Sequence, residues 1–154
     1  MEIVDLIGTE AVVPNLKATS KKQALQELAK HSARLTGLSE RAIFDVLLER
    51  ERLGSTGIGN GVAIPHGKLA EIKKLQGLFA RIEAPVDFDA IDEQPVDLIF
   101  LLLAPEGAGA DHLKALARVS RLLRDREICD KVRGTDGAEA IYALLANAAA
   151  SQPA

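Results

Sequence analysis

Apolar residues recur along the first third of the chain at the spacing of a helix. Leu25, Leu28 and Leu35, with Ala24 and Ala29, follow Ser20 until Gly37 interrupts the run. That is an amphipathic helix burying one stripe, and Ser20 and Gln23 stand at capping-box spacing. A second helix follows at once. Ser39 is placed to cap it, Leu38 and Ile43 occupy the two hydrophobic-staple positions, and Phe44, Leu47 and Leu48 carry the buried face to a stop at Leu53-Gly54. The period then shortens. Val62-Ala63-Ile64 is a brief apolar run ended by Pro65, which cannot donate to a sheet ladder, and Gly77 to Ile82 alternates loosely. Val96 to Leu103 holds Leu98-Ile99-Phe100-Leu101-Leu102-Leu103 without a break, the pattern of a central strand covered on both faces. Beyond a loop of small residues, Asp111 is placed to cap a helix with Leu113, Leu116, Ala117, Ser120 and Leu123 on its inner side. A last helix from Asp136, with Glu139 at capping-box spacing, buries Ile141, Leu144 and Leu145. Helices, strands and helices around one continuous apolar strand predict an α/β fold, a three-layer α/β/α sandwich on a mixed β-sheet. No linker or repeat divides the chain, so the expectation is one domain over residues 1–147 and a flexible tail of small residues over 148–154.

Composition narrows the function classes. The chain has 154 residues, 47% apolar and 27% charged, as globular proteins do. Its 19 basic and 22 acidic residues leave a net charge of -3, so the basic footprint of a nucleic-acid binder is missing. The longest apolar run, Leu98 to Ala104, falls far short of the roughly 20 residues of a membrane span, so no membrane insertion is expected. The opening Met-Glu-Ile-Val-Asp lacks the basic and apolar regions of a signal peptide, and a lone Cys129 can form no internal disulfide; both point to the cytoplasm. With 3% aromatics and no Trp, there are few flat faces on which to stack a base or a sugar.

One stretch concentrates the candidate chemistry. Gly54 to Gly67 brings together five glycines, the last of them Gly67, the hydroxyls of Ser55 and Thr56, and His66. The glycines follow a helix and lead into a strand, the reverse of the context a P-loop or dinucleotide fingerprint requires. Two readings remain: a tight connection whose glycines satisfy positive φ angles, or a nest of main-chain N–H groups for an anion. His66, at the end of a strand in a Pro-His-Gly corner, is either a structural imidazole or a neutral one whose lone pair can attack phosphorus. His112 falls in the first turn of its helix, where N–H groups attract anions and a charged imidazolium is disfavoured, and where an ordinary surface histidine would also fit. Arg50 and Arg52 end the second helix, favourable to its dipole and equally placed to clamp a phosphate. His31 sits at the edge of the first helix's apolar stripe, a structural position. No carboxylate or cysteine completes a metal-ligand spacing with the three histidines, so neither metal nor cofactor is expected.

The run from Arg50 to Leu69, Arg-Glu-Arg-Leu-Gly-Ser-Thr-Gly-Ile-Gly-Asn-Gly-Val-Ala-Ile-Pro-His-Gly-Lys-Leu, closely resembles the active-site signature of bacterial phosphotransferase system IIA domains of the fructose/mannitol class. Within that class it is most similar to the nitrogen-related regulatory branch, IIA-Ntr. Val86 to Asp92, Pro95 to Leu98 and Asp111-His112-Leu113 agree with it. The resemblance implies that His66 accepts a phosphoryl group, on Nε2, from the phosphohistidine of an HPr-like carrier (NPr in that branch). It implies that His112 supports the phosphate, that Arg50 clamps it, and that Ser55 and Thr56 lie at the phosphate-binding site. It further implies protein partners regulated by phosphorylation state. The alternatives are a sugar-branch IIA component that passes phosphate to a IIB domain, for which the chain has no room, and a binding module with a dead site.

Overall fold

The computed structural model describes residues 2–151. Six strands form one mixed sheet: β1 (Val12–Leu16), β2 (Gly57–Gly59), β3 (Val62–Ala63), β4 (His66–Leu69), β5 (Gln76–Val86) and β6 (Val96–Pro105). Their order is β1-β5-β6-β3-β2, and β4 also pairs with β6. The continuous apolar run is indeed the centre: β6 is antiparallel to β5 on one side and parallel to both β3 and β4 on the other. Alternation along β6 explains why the run has no polar break. Leu98, Phe100, Leu102 and Ala104 enter one core, and Ile99, Leu101 and Leu103 enter a second on the opposite face.

Helices cover both faces. α1 (Ile3–Leu6), α4 (Ala110–Leu123), α5 (Arg126–Arg133) and α6 (Ala138–Ala150) contribute to the first core. α2 (Lys21–Thr36) and α3 (Glu40–Arg52) contribute to the second. The result is the expected three-layer sandwich. The caps expected for α2 and α3 form: Ser20 Oγ accepts from Gln23 N–H and Ser39 Oγ from Ala42 N–H. The reciprocal arm of the first capping box is displaced by one residue, since Gln23 Oε1 accepts from the Thr19 N–H and hydroxyl at 2.7 and 2.8 Å.

Several expectations are corrected. α4 starts from Gly109 (φ 47°), which puts Asp111 inside the first turn instead of at the cap. Its buried face is His112, Ala115, Val119, Leu122 and Leu123; Leu113 points to solvent. α6 starts from Gly137 (φ 89°), not Asp136, and continues to Ala150, so residues 148–150 are helix and not tail; Gln152, Pro153 and Ala154 of the expected tail lie outside the described residues. β1, β2, β4, α1 and α5 were not anticipated. α5 is capped by Asp125, whose carboxylate accepts from Glu127 and Ile128 N–H.

Candidate active site at the seam between β4 and two helices

The site lies where the sheet's edge passes from β3 to β4. The glycine-rich segment mostly bears out its structural reading. Gly57–Gly59 and Val62–Ala63 form an antiparallel hairpin, and Asn60 and Gly61 take φ 56° and 81° at its turn. Asn-Gly is the dipeptide that such a turn demands, and it was the available signal for β2. The amides of Thr56, Gly57 and Asn60 donate to Glu51, Ser55 and Asp92 side chains, so they are not a vacant anion nest.

Pro65 then turns the chain into β4, and His66 is the first residue of that strand, not the last of the preceding one. Its register partner on β6 is Leu102, a member of the first core, so the imidazole faces the α4 layer. The next residue faces α3. A Cβ on Gly67 would stand 2.2 Å from Val46 Cγ1, so only glycine lets β4 lie this close to that helix. Proximity of β4 to both helical layers is what allows one histidine to be reached from each.

His66 Nδ1 lies 2.8 Å from the carbonyl oxygen of Ile64. A carbonyl can only accept, so Nδ1 carries the proton and Nε2 keeps its lone pair. That lone pair is met by Arg50 Nε–H at 3.4 Å, while Arg50 Nη1 donates to the Gly54 carbonyl at 2.9 Å. From the other side comes His112, edge-on, with ring centroids 5.6 Å apart and planes at 72°. His112 is buried, and its Nε2 has no hydrogen-bond partner. An orphaned buried imidazole nitrogen costs free energy unless a ligand supplies the missing bond.

The electrostatics favour uncharged rings. Burial pushes the His66 pKa below its usual value, the Ile64 carbonyl opposes that, and Arg50 lowers it further. His112 is lowered by burial, then by His66 and Lys68. Two neutral imidazoles facing a guanidinium form a site that offers a nucleophilic nitrogen and cationic or hydrogen-bonding surroundings for an anion.

Of the other sequence candidates, Arg52 turns away and pairs with Glu49 at 3.4 Å. His31 remains half-buried on α2. Ser55 and Thr56 are near in sequence, but each spends its one hydroxyl proton on a protein acceptor. Ser55 Oγ donates to the Phe88 carbonyl at 2.7 Å, and buried Thr56 donates to the Glu51 carboxylate. They shape the loop beneath Arg50. Two residues at this site escaped sequence reasoning, Glu51 and Lys21, which are joined at 2.8 Å beside that loop. Thirty positions separate them, and no short-range pattern connects them.

The family model for the phosphoenolpyruvate-dependent sugar phosphotransferase system, EIIA 2, matches residues 5–148. A nitrogen regulatory protein of Bradyrhizobium diazoefficiens is 64% identical over 146 residues, covering 95% of each chain. The crystal structure of nitrogen regulatory protein IIA-Ntr from Neisseria meningitidis superposes with a TM-score of 0.88 at 38% identity, over 93% of this chain and 98% of that one. IIA mannitol from Escherichia coli shares the fold, with a TM-score of 0.75 at 23% identity over 91% and 99% of the two chains.

Proposed function

Because the chain belongs to the phosphotransferase-system EIIA 2 family and, at 64% identity, to its nitrogen-regulatory branch, we propose that it is a phosphohistidine carrier whose phosphorylation state regulates protein partners. His66 is the acceptor, Arg50 the clamp and His112 the supporting donor. The phosphoryl donor is the phosphohistidine of an HPr-like carrier, NPr. Turnover serves signalling more than metabolism, and the protein works in the cytoplasm. No helix among the described residues is long and apolar enough to cross a membrane.

The observation that carries this reading is the Nδ1–H bond to Ile64, which leaves Nε2 as the free nucleophile beside Arg50. The Nε2 lone pair attacks phosphorus as the donor's P–N bond breaks, and that bond's electron pair returns to the donor nitrogen. The proton on Nδ1 stays where it is. No general base is required, because the nucleophile is already deprotonated; what remains is alignment and charge neutralisation. The guanidinium of Arg50 exchanges its weak N–H···N contact for charge-assisted bonds to phosphoryl oxygens. His112 Nε2 then finds the partner it lacks.

Phosphoenolpyruvate, the first-stage phosphotransferase and its carrier should label the wild-type protein on His66. His66→Ala should take no label, and a label surviving in that variant rules out the site. For the regulatory role, phosphorylated and unphosphorylated protein should retain different partners in pull-downs, since a phosphoryl group adds about -1.5 to -2 charge to a half-buried pocket. Identical partner sets, with efficient onward transfer to a IIB protein, would instead mark a sugar-branch component.

A further inference from the structure

Glu51 follows Arg50 on the last turn of α3 but points inward, with its side chain 3% exposed. Its carboxylate accepts from Lys21 Nζ at 2.8 Å, from the Thr56 N–H at 3.2 Å to each oxygen, and from the Thr56 hydroxyl. Lys21 comes from the first turn of α2. It also donates to the Phe88 carbonyl at 3.2 Å and lies 5.2 Å from the centre of the Phe88 ring. That carbonyl is the one Ser55 Oγ reaches. These bonds close residues 51–56 into a loop tied to α2 and to the segment after β5. Within the loop, the Gly54 carbonyl holds Arg50 Nη1, while Arg50 Nε reaches His66.

A buried ion pair contributes little net stability once its desolvation is counted, and geometry is what it can supply. Here the geometry bears on both sides of His66, since the Thr56 carbonyl accepts from Ile64 N–H at 3.0 Å and the same loop presents the Gly54 carbonyl to Arg50. Among the described residues the Gly54 carbonyl is the backbone acceptor that Arg50 uses, and its position follows from the closure at Glu51 and Thr56.

We propose that Lys21 and Glu51 are a positioning pair for phosphoryl transfer: by closing loop 51–56 they fix the Gly54 carbonyl, and through it the Arg50 guanidinium, against His66 Nε2. Neither residue touches the phosphoryl group. The proposal rests on the reading of His66 as acceptor.

The test measures the rate of His66 phosphorylation by the phosphorylated carrier in Glu51→Gln and Lys21→Met, each alone and combined with Arg50→Ala. Glu51→Gln preserves shape and a bond to Thr56 while deleting the charge. Lys21→Met removes the cation without touching α3 and is the second route should the first variant unfold. Each single variant should transfer roughly ten- to a hundredfold more slowly, the cost of a small misplacement, with the half-saturating donor concentration unchanged. In the Arg50→Ala background neither change should slow transfer further. Full rate in both single variants overturns the proposal, as does an equal fold-loss with and without Arg50, which marks a merely structural role. Failure of wild-type protein to label on His66 would instead defeat the acceptor reading.

Discussion

At the scale of single residues, the site depends on two imidazoles held uncharged. The His66 and His112 pKa values are both lowered, chiefly by burial, so each ring binds a proton less readily folded than unfolded. The acid limb of the phosphorylation rate should therefore lie below the ordinary histidine value of about 6.5, with the rate flat above it; a midpoint at or above that value contradicts the geometry. The same linkage bears on stability. As pH falls from about 6.5 through the lowered folded values, the unfolded chain takes up protons that the native rings refuse, so urea midpoints should drop across that window and then level. His112→Ala should slow transfer by roughly 10²- to 10³-fold, the usual loss on removing one donor to developing charge, while leaving the unfolding transition cooperative; unchanged kinetics would show that its orphaned nitrogen plays no part. That His66, His112 and Arg50 come together was legible in the sequence because a signature carries all three. Ser55 and Thr56 were legible as residues of the loop but not in role: composition cannot tell a hydroxyl aimed at a ligand from one bonded to Phe88 or Glu51. Lys21 and Glu51 read as ordinary helical charges until the fold brings α2 and α3 together.

At the scale of elements, the side-chain caps of α2 and α3 are legible in the sequence, the Asp125 cap of the short α5 is not, and α4 and α6 are started by glycines. Ser20 and Ser39 start their helices as expected. Asp111 and Asp136 look like caps, but the glycines at 109 and 137 adopt the positive φ that begins those helices. On α4 two stripes share helical spacing, and the sequence favours the one containing Leu113. The fold buries the other, packing Ala115, Val119 and Leu122 into the first core and carrying His112 to His66 on β4. Leu113→Ser should consequently change stability by no more than about 0.5 kcal/mol, as surface substitutions do. β4 went unseen because its four residues, His-Gly-Lys-Leu, carry no strand signature; only pairing with β6 makes them a strand. The close approach of β4 to α3 gives a sharper test. Gly67→Ala should destabilise by ~1–3 kcal/mol through overpacking against Val46, and Val46→Ala added to it should recover much of the loss. Chemical denaturation of the two variants decides, and an absence of recovery would place the strain elsewhere.

For the whole molecule, β6 belongs to both cores, so neither helical layer can detach without exposing the sheet they share. Leu28→Ala in one core and Ile141→Ala in the other, both sites fully buried, should each cost ~2–5 kcal/mol. Fluorescence-independent probes such as far-ultraviolet circular dichroism and hydrogen exchange should still report one transition; a separate early transition for either layer would show that the two layers unfold independently. The three-layer architecture was readable from the order of periodicities, whereas the placement of β4 beside β3 on one flank of β6 was not, since short edge strands leave no trace in hydrophobic pattern. The bond from His66 Nδ1 to the Ile64 carbonyl has a consequence at this scale too. In the proposed acceptor role, with its hydrogen pinned in place, the ring would gain and surrender its cargo without trading anything with water. Loading and unloading are then mirror images, and the fraction of molecules carrying phosphate becomes a running gauge of how fully charged the upstream pool is.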